Sequence, residues 1–200
     1  MSKKITVLAV ALAALAAFAL PTPAAASWKH HNTAIAADVQ LKLLGQARFQ
    51  GESGGLECQA EAPITLEAGT TTATVGSFFP AAETTSCKGL GGLAFCQYHE
   101  VVSTELPWAA HTRESPVRVE ITQKAVHGNL TGGFCPIKQF TVTAGVLTAT
   151  PNQANTLSSL QLSSQADVHL QANGGTVSTE LTTISGTMTV QSPNANTYSI

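Results

Sequence analysis

The amino-acid sequence predicts an all-β protein, an antiparallel β-sandwich of jelly-roll or immunoglobulin-like type that is stabilised by disulfides. Three observations support this prediction. Apolar and polar residues alternate with period 2 in short runs, turn signals rich in glycine and asparagine separate these runs, and four cysteines follow an apolar leader. Short alternating strands with frequent turns are typical of sandwiches and barrels.

The first 26 residues have the pattern of a signal peptide. Lys3 and Lys4 provide the positive start, the run Ile5–Leu20 is apolar throughout, and the small residues Ala24–Ala26 follow. The alternative is a membrane anchor, but the apolar run is shorter than the ~20 residues that cross a bilayer. We therefore expect secretion or display at the cell surface, cleavage that leaves Ser27 first, and no membrane span after cleavage.

Residues 27–200 are expected to form one secreted domain, because a chain of this length supports one good core and is short for two. Without the leader the chain has 8 basic and 12 acidic groups, a net charge of −4. Nucleic acid is therefore not expected as a partner, because its phosphates require a basic surface. Residues 151–200 are rich in serine, threonine, asparagine and glutamine, and we expect them to form an exposed second sheet.

The strands are predicted from the apolar members of each alternating run. One segment, Thr33–Leu44, also has a composition that a helix would accept, but its period is 2 from Asp38 onward, which favours a strand. No other segment of the mature chain is a convincing helix. In chain order the predicted strands carry Val39 to Leu43, Ile64 to Leu66, Thr70 to Val75, Val117 to Ile121, Phe140 to Val142, Val146 to Leu147, Leu160 to Leu162, Val168 to Leu170 and Met188 to Val190.

Four cysteines allow three pairings, and the sequence alone does not choose among them. The glycine-rich segment between Cys87 and Cys96 is flexible enough to fold back as a hairpin, which favours that pair and leaves Cys58 with Cys135. A structural zinc site is disfavoured because no two cysteines have the C-x₂₋₄-C spacing.

A resemblance to a known family rests on a short series of features. Phe49-x-Gly51 precedes Cys58, Leu106-Pro107-Trp108 follows Cys96, a strand pattern covers Val117 to Ile121, and Cys135 comes after a glycine pair. Over roughly residues 47–150 the chain resembles the small secreted proteins of the protein activator of alkane oxidation family. This resemblance implies a secreted β-sandwich with a surface or biofilm-matrix role and no defined catalytic site.

No catalytic motif is present: the sequence lacks G-x-S-x-G, H-E-x-x-H and a phosphate-binding glycine loop, and it predicts no cofactor. The residues with a conceivable role in ligand contact are Trp108 and His99. For Trp108, packing in the core is the favoured prediction over an exposed indole that stacks on a sugar. Phe95 and the Phe78-Phe79-Pro80 segment are also expected in the core.

Near the start of the mature chain, His30 and His31 raise the question of a metal site. If cleavage left Trp28 first, the amine, two peptide nitrogens and the His30 imidazole could form the square of four nitrogens that suits copper(II) or nickel(II). The favoured prediction is a disordered terminus without metal, because cleavage after Ala26 places this histidine fourth.

These observations predict a non-enzymatic, structural or adhesive protein of bacterial type. Its expected partners are a polymer of the cell surface or further copies of itself, paired through edge strands. The alternative is a secreted carbohydrate-binding module or hydrolase, which would use Trp108, His99 and nearby acidic residues in one pocket.

Overall fold

The computed structural model describes residues 27–77, 87–114, 116–153, 156–191 and 198–200, with the side chains of residues 99, 100 and 114 outside that description. The predicted leader and the Phe78-Phe79-Pro80 segment lie outside the described residues. Fifteen strands are present there: β1 Lys29–His30, β2 Thr33–Ala34, β3 Val39–Gln50, β4 Gly55–Leu66, β5 Thr72–Val75, β6 Cys87–Leu90, β7 Gln97–Ser103, β8 Trp108–Glu114, β9 Val117–Gln123, β10 Val126–Thr131, β11 Ile137–Val142, β12 Gly145–Pro151, β13 Ser159–Ala172, β14 Val177–Val190 and β15 Tyr198–Ser199.

The all-β prediction is confirmed. Within the described chain the only helical segment is the 3₁₀ turn Gly91–Leu93. Burial alternates along the strands as the period-2 pattern requires: in β4 the even-numbered residues from Leu56 to Leu66 are buried. The ambiguous segment Thr33–Leu44 is strand from Val39 onward, as predicted. No described helix is long and apolar enough to pass through a lipid bilayer.

The predicted sandwich is replaced by a closed barrel. Eight strands pair in the cyclic order β3-β4-β5-β8-β9-β12-β13-β14, and every pairing in the ring is antiparallel. The ring closes because β12 pairs with β9 along Gly145–Ala149 and with β13 along Thr148–Pro151. Closure gives these backbone groups a partner on both sides, whereas a sandwich leaves free edges. We call this part the barrel half.

The main sheet also extends beyond the barrel half, through four further strands. The order β13-β11-β10-β7 extends from one side, and β6 pairs with the first residues of β4 on the other. The outer strands β6 and β7 contact each other and are joined by the 3₁₀ turn, but no backbone pairing links them. We call this part, with the adjoining ends of the long strands, the open half.

Four long strands, β3, β4, β13 and β14, belong to both halves. They contain 12, 12, 14 and 14 residues, about twice the ordinary strand length. Their buried side chains form one continuous apolar cluster with those of the shorter strands. The exposed second sheet predicted for residues 151–200 is not found between residues 156 and 191, which contribute β13 and β14 at the centre of the main sheet.

A small three-stranded sheet, β15-β1-β2, packs at the end of the barrel half. Its anchor is Trp28, whose side chain is fully buried and whose Nε1 donates to the carbonyl oxygen of Thr72 at 2.6 Å. The backbone N–H of Trp28 also donates to the carbonyl of Thr70, at 3.4 Å. The predicted disordered terminus is thus wrong, because an indole with a bonded N–H fixes the chain from this residue onward.

The favoured disulfide pairing is wrong, although both bridges exist. Cys58 is bonded to Cys87, and Cys96 is bonded to Cys135. Cys58 and Cys87 are direct partners in the β4–β6 register, so the sheet itself brings the sulfurs together. Loop flexibility, the basis of the hairpin prediction, carried no information about this long-range pairing.

The two disulfides should contribute strongly to the stability of the protein. Their loops span 29 and 39 residues, so the chain-entropy model gives about 4 kcal/mol of stabilisation for each. We expect reduction to lower the melting temperature markedly, and peptide mapping of the oxidised protein to recover the 58–87 and 96–135 pairs. Recovery of an 87–96 peptide, or an unchanged melting temperature in reductant, would contradict the structure.

Two glycines allow β3 and β14 to approach closely where the two halves meet. A Cβ atom on Gly45 would lie 2.0 Å from the carbonyl oxygen of Thr187, and one on Gly186 would lie 2.0 Å from that of Gln46. These are backbone atoms in the middle of two long strands, so they cannot turn aside as a flexible side chain could. No side chain fits at either position without a shift of the sheet.

We therefore expect Gly45→Ala and Gly186→Ala to lower the free energy of unfolding by about 1–3 kcal/mol or more. Gly145→Ala is the matched control, because a Cβ there would meet no atom within 4 Å. Chemical denaturation of the three variants measures the difference. Equal stability of all three would show that the strands do not approach in this way.

Candidate functional site

Trp108, predicted as a core residue with an alternative role in ligand contact, is a core residue. Its side chain is 1% exposed, and its Nε1 donates to the carbonyl oxygen of Thr104 at 2.8 Å. The preceding Leu106–Pro107 peptide is cis, and Trp108 opens β8. The indole faces the interior of the barrel half and presents no surface on which a sugar could stack.

His99, the second residue considered for ligand contact, lies in β7. Its side chain is outside the description, so the prediction for this residue stays untested. The backbone places it in the open half, whereas Trp108 belongs to β8 of the barrel half. The two residues are thus on strands that are not neighbours in the sheet.

The His30–His31 region does not have the arrangement proposed for copper or nickel. His30 is in β1, which is paired on one side with β15 and on the other with β2, so its peptide nitrogen belongs to a sheet. The His30 ring stacks on the Tyr198 ring, with the two centroids 4.8 Å apart. The centroid of the His31 ring is 4.4 Å from that of the His30 ring. Square binding by consecutive peptide nitrogens would require this small sheet to separate.

Acidic and metal-binding side chains are dispersed over the described surface. In that part of the chain, no three side chains among histidine, cysteine, aspartate and glutamate are grouped to hold a metal ion. Glu120 accepts hydrogen bonds from Arg113 at 2.8 Å and Arg118 at 2.9 Å, and these bonds lower the pKa of its carboxyl group. This network lies on strands β8 and β9 of the barrel half.

The most unusual surface feature is a pair of exposed phenylalanines in the open half. Phe95 is 74% exposed and Phe134 is 87% exposed. Phe95 was predicted in the core, so this prediction is wrong. Large apolar side chains with such exposure lose the free energy that burial would give them, and grouped exposed apolar residues mark sites of interaction. We call Phe95 and Phe134, with the Cys96–Cys135 bridge between them, the aromatic tip.

The disulfide holds the two aromatic residues close together. Each phenylalanine directly precedes a bridged cysteine, and the α-carbons of the cysteines are 4.8 Å apart. Since consecutive α-carbons are 3.8 Å apart, those of Phe95 and Phe134 can be no more than about 12 Å apart. Gly132, with φ of 134°, completes the tip: a Cβ there would lie 2.8 Å from the carbonyl oxygen of Phe95.

No charged residue occurs in either segment that forms the tip. The segments run from residue 89 to 98 and from 129 to 137, and both contain a glycine pair. The nearest flanking lysine of the first segment, Lys88, is paired with Glu57 at 2.7 Å. An uncharged aromatic surface can enter an apolar phase with little desolvation cost, because no ion has to be stripped of water. The cross-link holds the two backbone segments together, so the segments do not have to be brought together on contact.

A signal for the aromatic tip was present in the sequence. Phe-Cys occurs twice, at Phe95-Cys96 and Phe134-Cys135, each time after a glycine pair and inside an uncharged segment. The symmetry of the two dipeptides suggests one bridge with an aromatic residue on each side. The predicted Cys87–Cys96 pair assigned Cys96 and Cys135 to different bridges, so the sequence analysis did not connect the two dipeptides.

The two kinds of aromatic residue should respond differently to truncation. Trp108→Ala should lower the free energy of unfolding by about 3–5 kcal/mol, because a buried indole is replaced by a cavity. Phe134→Ser should change it by no more than about 0.5 kcal/mol, because its ring is in solvent. Denaturant titration of both variants tests this, and comparable losses would place the Phe134 ring in the core.

Comparison with known proteins gives no relative. No family model matches the chain, no curated protein matches it, and no solved structure matches it.

Proposed function

We propose that the protein is a secreted, non-enzymatic adhesive protein, and that the aromatic tip attaches it to an uncharged apolar component of a cell surface. The observation that carries the proposal is the exposure of Phe95 and Phe134 beside one disulfide, in two segments, 89–98 and 129–137, that contain no charged residue. A folded domain gains nothing from two such rings in water, so their placement favours a partner that covers them.

The energetic scale supports weak, reversible attachment by each molecule. Full burial of a phenylalanine contributes about 1.5–3 kcal/mol, so the pair supplies about 3–6 kcal/mol before association costs. A dissociation constant of 1 mM corresponds to about 4.1 kcal/mol. Firm attachment then requires many copies acting together on one surface, which is the behaviour of a coat or matrix protein.

An extracellular location agrees with the two disulfides, because such bridges persist in oxidising compartments. The N-terminal leader pattern supports the same location. The surface or matrix role implied by the resemblance to the protein activator of alkane oxidation family points in the same direction.

The alternative of a carbohydrate-binding module or hydrolase has less support than the adhesive function. An exposed Trp108 near His99 and acidic groups would favour it, and the indole is buried. Self-association is a rival explanation for the aromatic tip, because two tips could cover each other. The experiment below separates it from attachment to a surface.

We expect the oxidised protein to co-sediment with vesicles of neutral phosphatidylcholine and to be retained on octyl-coated beads. The double variant Phe95→Ser/Phe134→Ser should bind at least tenfold more weakly, because both apolar anchors are removed. Binding of the wild type should change little when the salt concentration rises from about 0.05 M to about 0.5 M, because the proposed contact is made by apolar side chains.

The matched control is Val177→Ser/Leu181→Ser, which removes two side chains that are about equally exposed, 60% and 59%, from β14. This control should bind as the wild type does. Equal loss in both double variants would indicate unspecific stickiness and contradict the proposal. A wild-type dimer in analytical ultracentrifugation that the tip variant abolishes, without binding to vesicles or beads, would assign the tip to self-association instead.

A further inference from the structure

Strand β14 extends beyond the strand that pairs with it on one side. Its pairing with β13 begins at Val177, whereas its pairing with β3 begins at Thr183, opposite Gln50. Residues 177–181 therefore have β13 on one side and, among the described residues, no backbone partner on the other. We call residues 177–181 the free edge.

The backbone groups of alternate residues in the free edge point away from β13. The carbonyl oxygen of Asp167, which is opposite Leu181, accepts the N–H of Thr143 at 2.9 Å, so it points away from β14. In an antiparallel pair, opposite residues that bond each other alternate with opposite residues that do not. Leu181, and with it Thr179 and Val177, therefore presents its N–H and C=O groups at the free edge.

The residues between these three are bonded to β13. At the other end of the hairpin, the N–H of Ala172 donates to the carbonyl oxygen of Thr176 at 2.8 Å. This bond sets the same alternation, because every second residue from Thr176 onward then bonds β13. Ser178 and Glu180 are such residues, so their backbone groups are already satisfied.

The side chains along the free edge leave the unpaired backbone open. Val177 and Leu181 are 60% and 59% exposed, and both point to the same face of the sheet. Thr179, between them, is turned toward β13, where its Oγ1 lies 2.7 Å from Nδ1 of His169. Two exposed apolar side chains beside unpaired N–H and C=O groups are the features that an added strand would cover.

Acidic groups surround the free edge. Glu180 lies within it, Asp167 lies beside it on β13, and Glu52 lies in the turn between β3 and β4. Neither the free edge nor residues 167–171, which pair with it, contain a lysine or arginine. The arginine of β3, Arg48, pairs beyond the free edge. Charge complementarity therefore favours a basic partner.

The turn between β3 and β4 limits what can be added. The N–H of Ser53 in this turn donates to the Glu180 carboxylate at 3.0 Å, so the turn lies at one end of the free edge. If two copies paired through their free edges about Thr179, the β13–β14 turn of each copy would fall on the β3–β4 turn of the other. A single extended segment that ends before this turn meets no such obstacle.

We propose that the free edge binds an extended segment of another protein, which adds to the sheet as a short strand. This segment has apolar side chains opposite Val177 and Leu181 and a lysine or arginine opposite Glu180. Backbone hydrogen bonds at Val177, Thr179 and Leu181 hold the segment, and its alternate side chains select it. This site is separate from the aromatic tip, and its role does not rest on the adhesive function.

Amide hydrogen exchange with the capped peptide Val-Lys-Thr-Lys-Val tests the proposal. In the free protein the N–H groups of Thr179 and Leu181 should exchange fast, and those of Ser178 and Glu180 slowly, because only the second pair is bonded to β13. Excess peptide should slow exchange at Thr179 and Leu181 about tenfold or more and leave Ser178 and Glu180 unchanged.

Two matched peptides separate the contributions of charge and apolar contact. Val-Glu-Thr-Glu-Val has the wrong charge for Glu180 and Asp167, and Thr-Lys-Thr-Lys-Thr lacks the apolar side chains. Each should require at least about threefold more peptide for the same protection, because one kind of cross-strand pair is lost.

Variants of the free edge test the backbone and the side chains in turn. Thr179→Pro removes an N–H that points to the edge, where proline is tolerated, and it should weaken binding about tenfold or more. Thr179→Ala keeps this N–H and should bind as the wild type does. Val177→Ser/Leu181→Ser keeps the whole backbone and should weaken binding about threefold to tenfold. This double variant decides the test if the proline variant does not fold.

Three outcomes would overturn the proposal. They are slow exchange at Thr179 and Leu181 without peptide, which would mean that the edge is already covered, by a second copy if the protection rises with protein concentration; no protection by the basic peptide; and equal protection by the acidic peptide. The adhesive function is tested separately, since Phe95→Ser/Phe134→Ser should bind the peptide normally and Val177→Ser/Leu181→Ser should bind vesicles normally.

Discussion

The backbone pairing of four long strands holds the molecule together. β3, β4, β13 and β14 pass through both halves, and each is hydrogen-bonded to a neighbour from this set along most of its length. In the barrel half, β4 pairs with β5 and β13 pairs with β12, and these pairings belong to the closed ring. In the open half, β4 pairs with β6 and β13 pairs with β11, and no ring is formed. The two halves therefore cannot unfold independently without breaking continuous strands.

The disulfides act where the sheet is weakest. The barrel half is closed by backbone pairing, and among the described residues it contains no bridge that joins two of its short strands. The open half lacks pairing between β6 and β7, and both bridges lie there. Cys58–Cys87 fixes β6 to β4, and Cys96–Cys135 ties the start of β7 to the loop before β11. The bridges thus fix β6 and the start of β7 each to another part of the open half, although neither bridge joins β6 to β7 directly. Cys96–Cys135 also supports the aromatic tip.

The sequence predicted local structure well and long-range arrangement poorly. Alternation at Val39 to Leu43 and Val117 to Ile121 identified strands, because period 2 is a local property of an extended chain with one buried face. Closure of the ring depends on β12 meeting β9 and β13, and nothing in the alternation of β12 specifies its second neighbour. The same limit applies to the cysteines, whose partners are set by the register between β4 and β6.

The candidate functional residues were likewise predictable only where local sequence determines their environment. Burial of Trp108 was predictable, because an indole after Leu-Pro at a strand start has an apolar body to cover. Exposure of Phe95 was not, because composition alone places phenylalanine inside. The repeated Phe-Cys dipeptide was the available sequence signal, and the Cys96–Cys135 pair shows that the two dipeptides meet.

The positions of Trp28 and Ile200 relative to the aromatic tip give the molecule a direction. Trp28 and Ile200 lie together at the outer end of the barrel half, since Lys29 pairs with Ser199. β4 leads from the neighbourhood of the 3₁₀ turn at Gly55 to Leu66 near Trp28, a path of about 36 Å at 3.3 Å per residue. A tether fused after Ile200 would therefore leave from the end of the molecule opposite Phe95 and Phe134, so that the aromatic pair faces away from it.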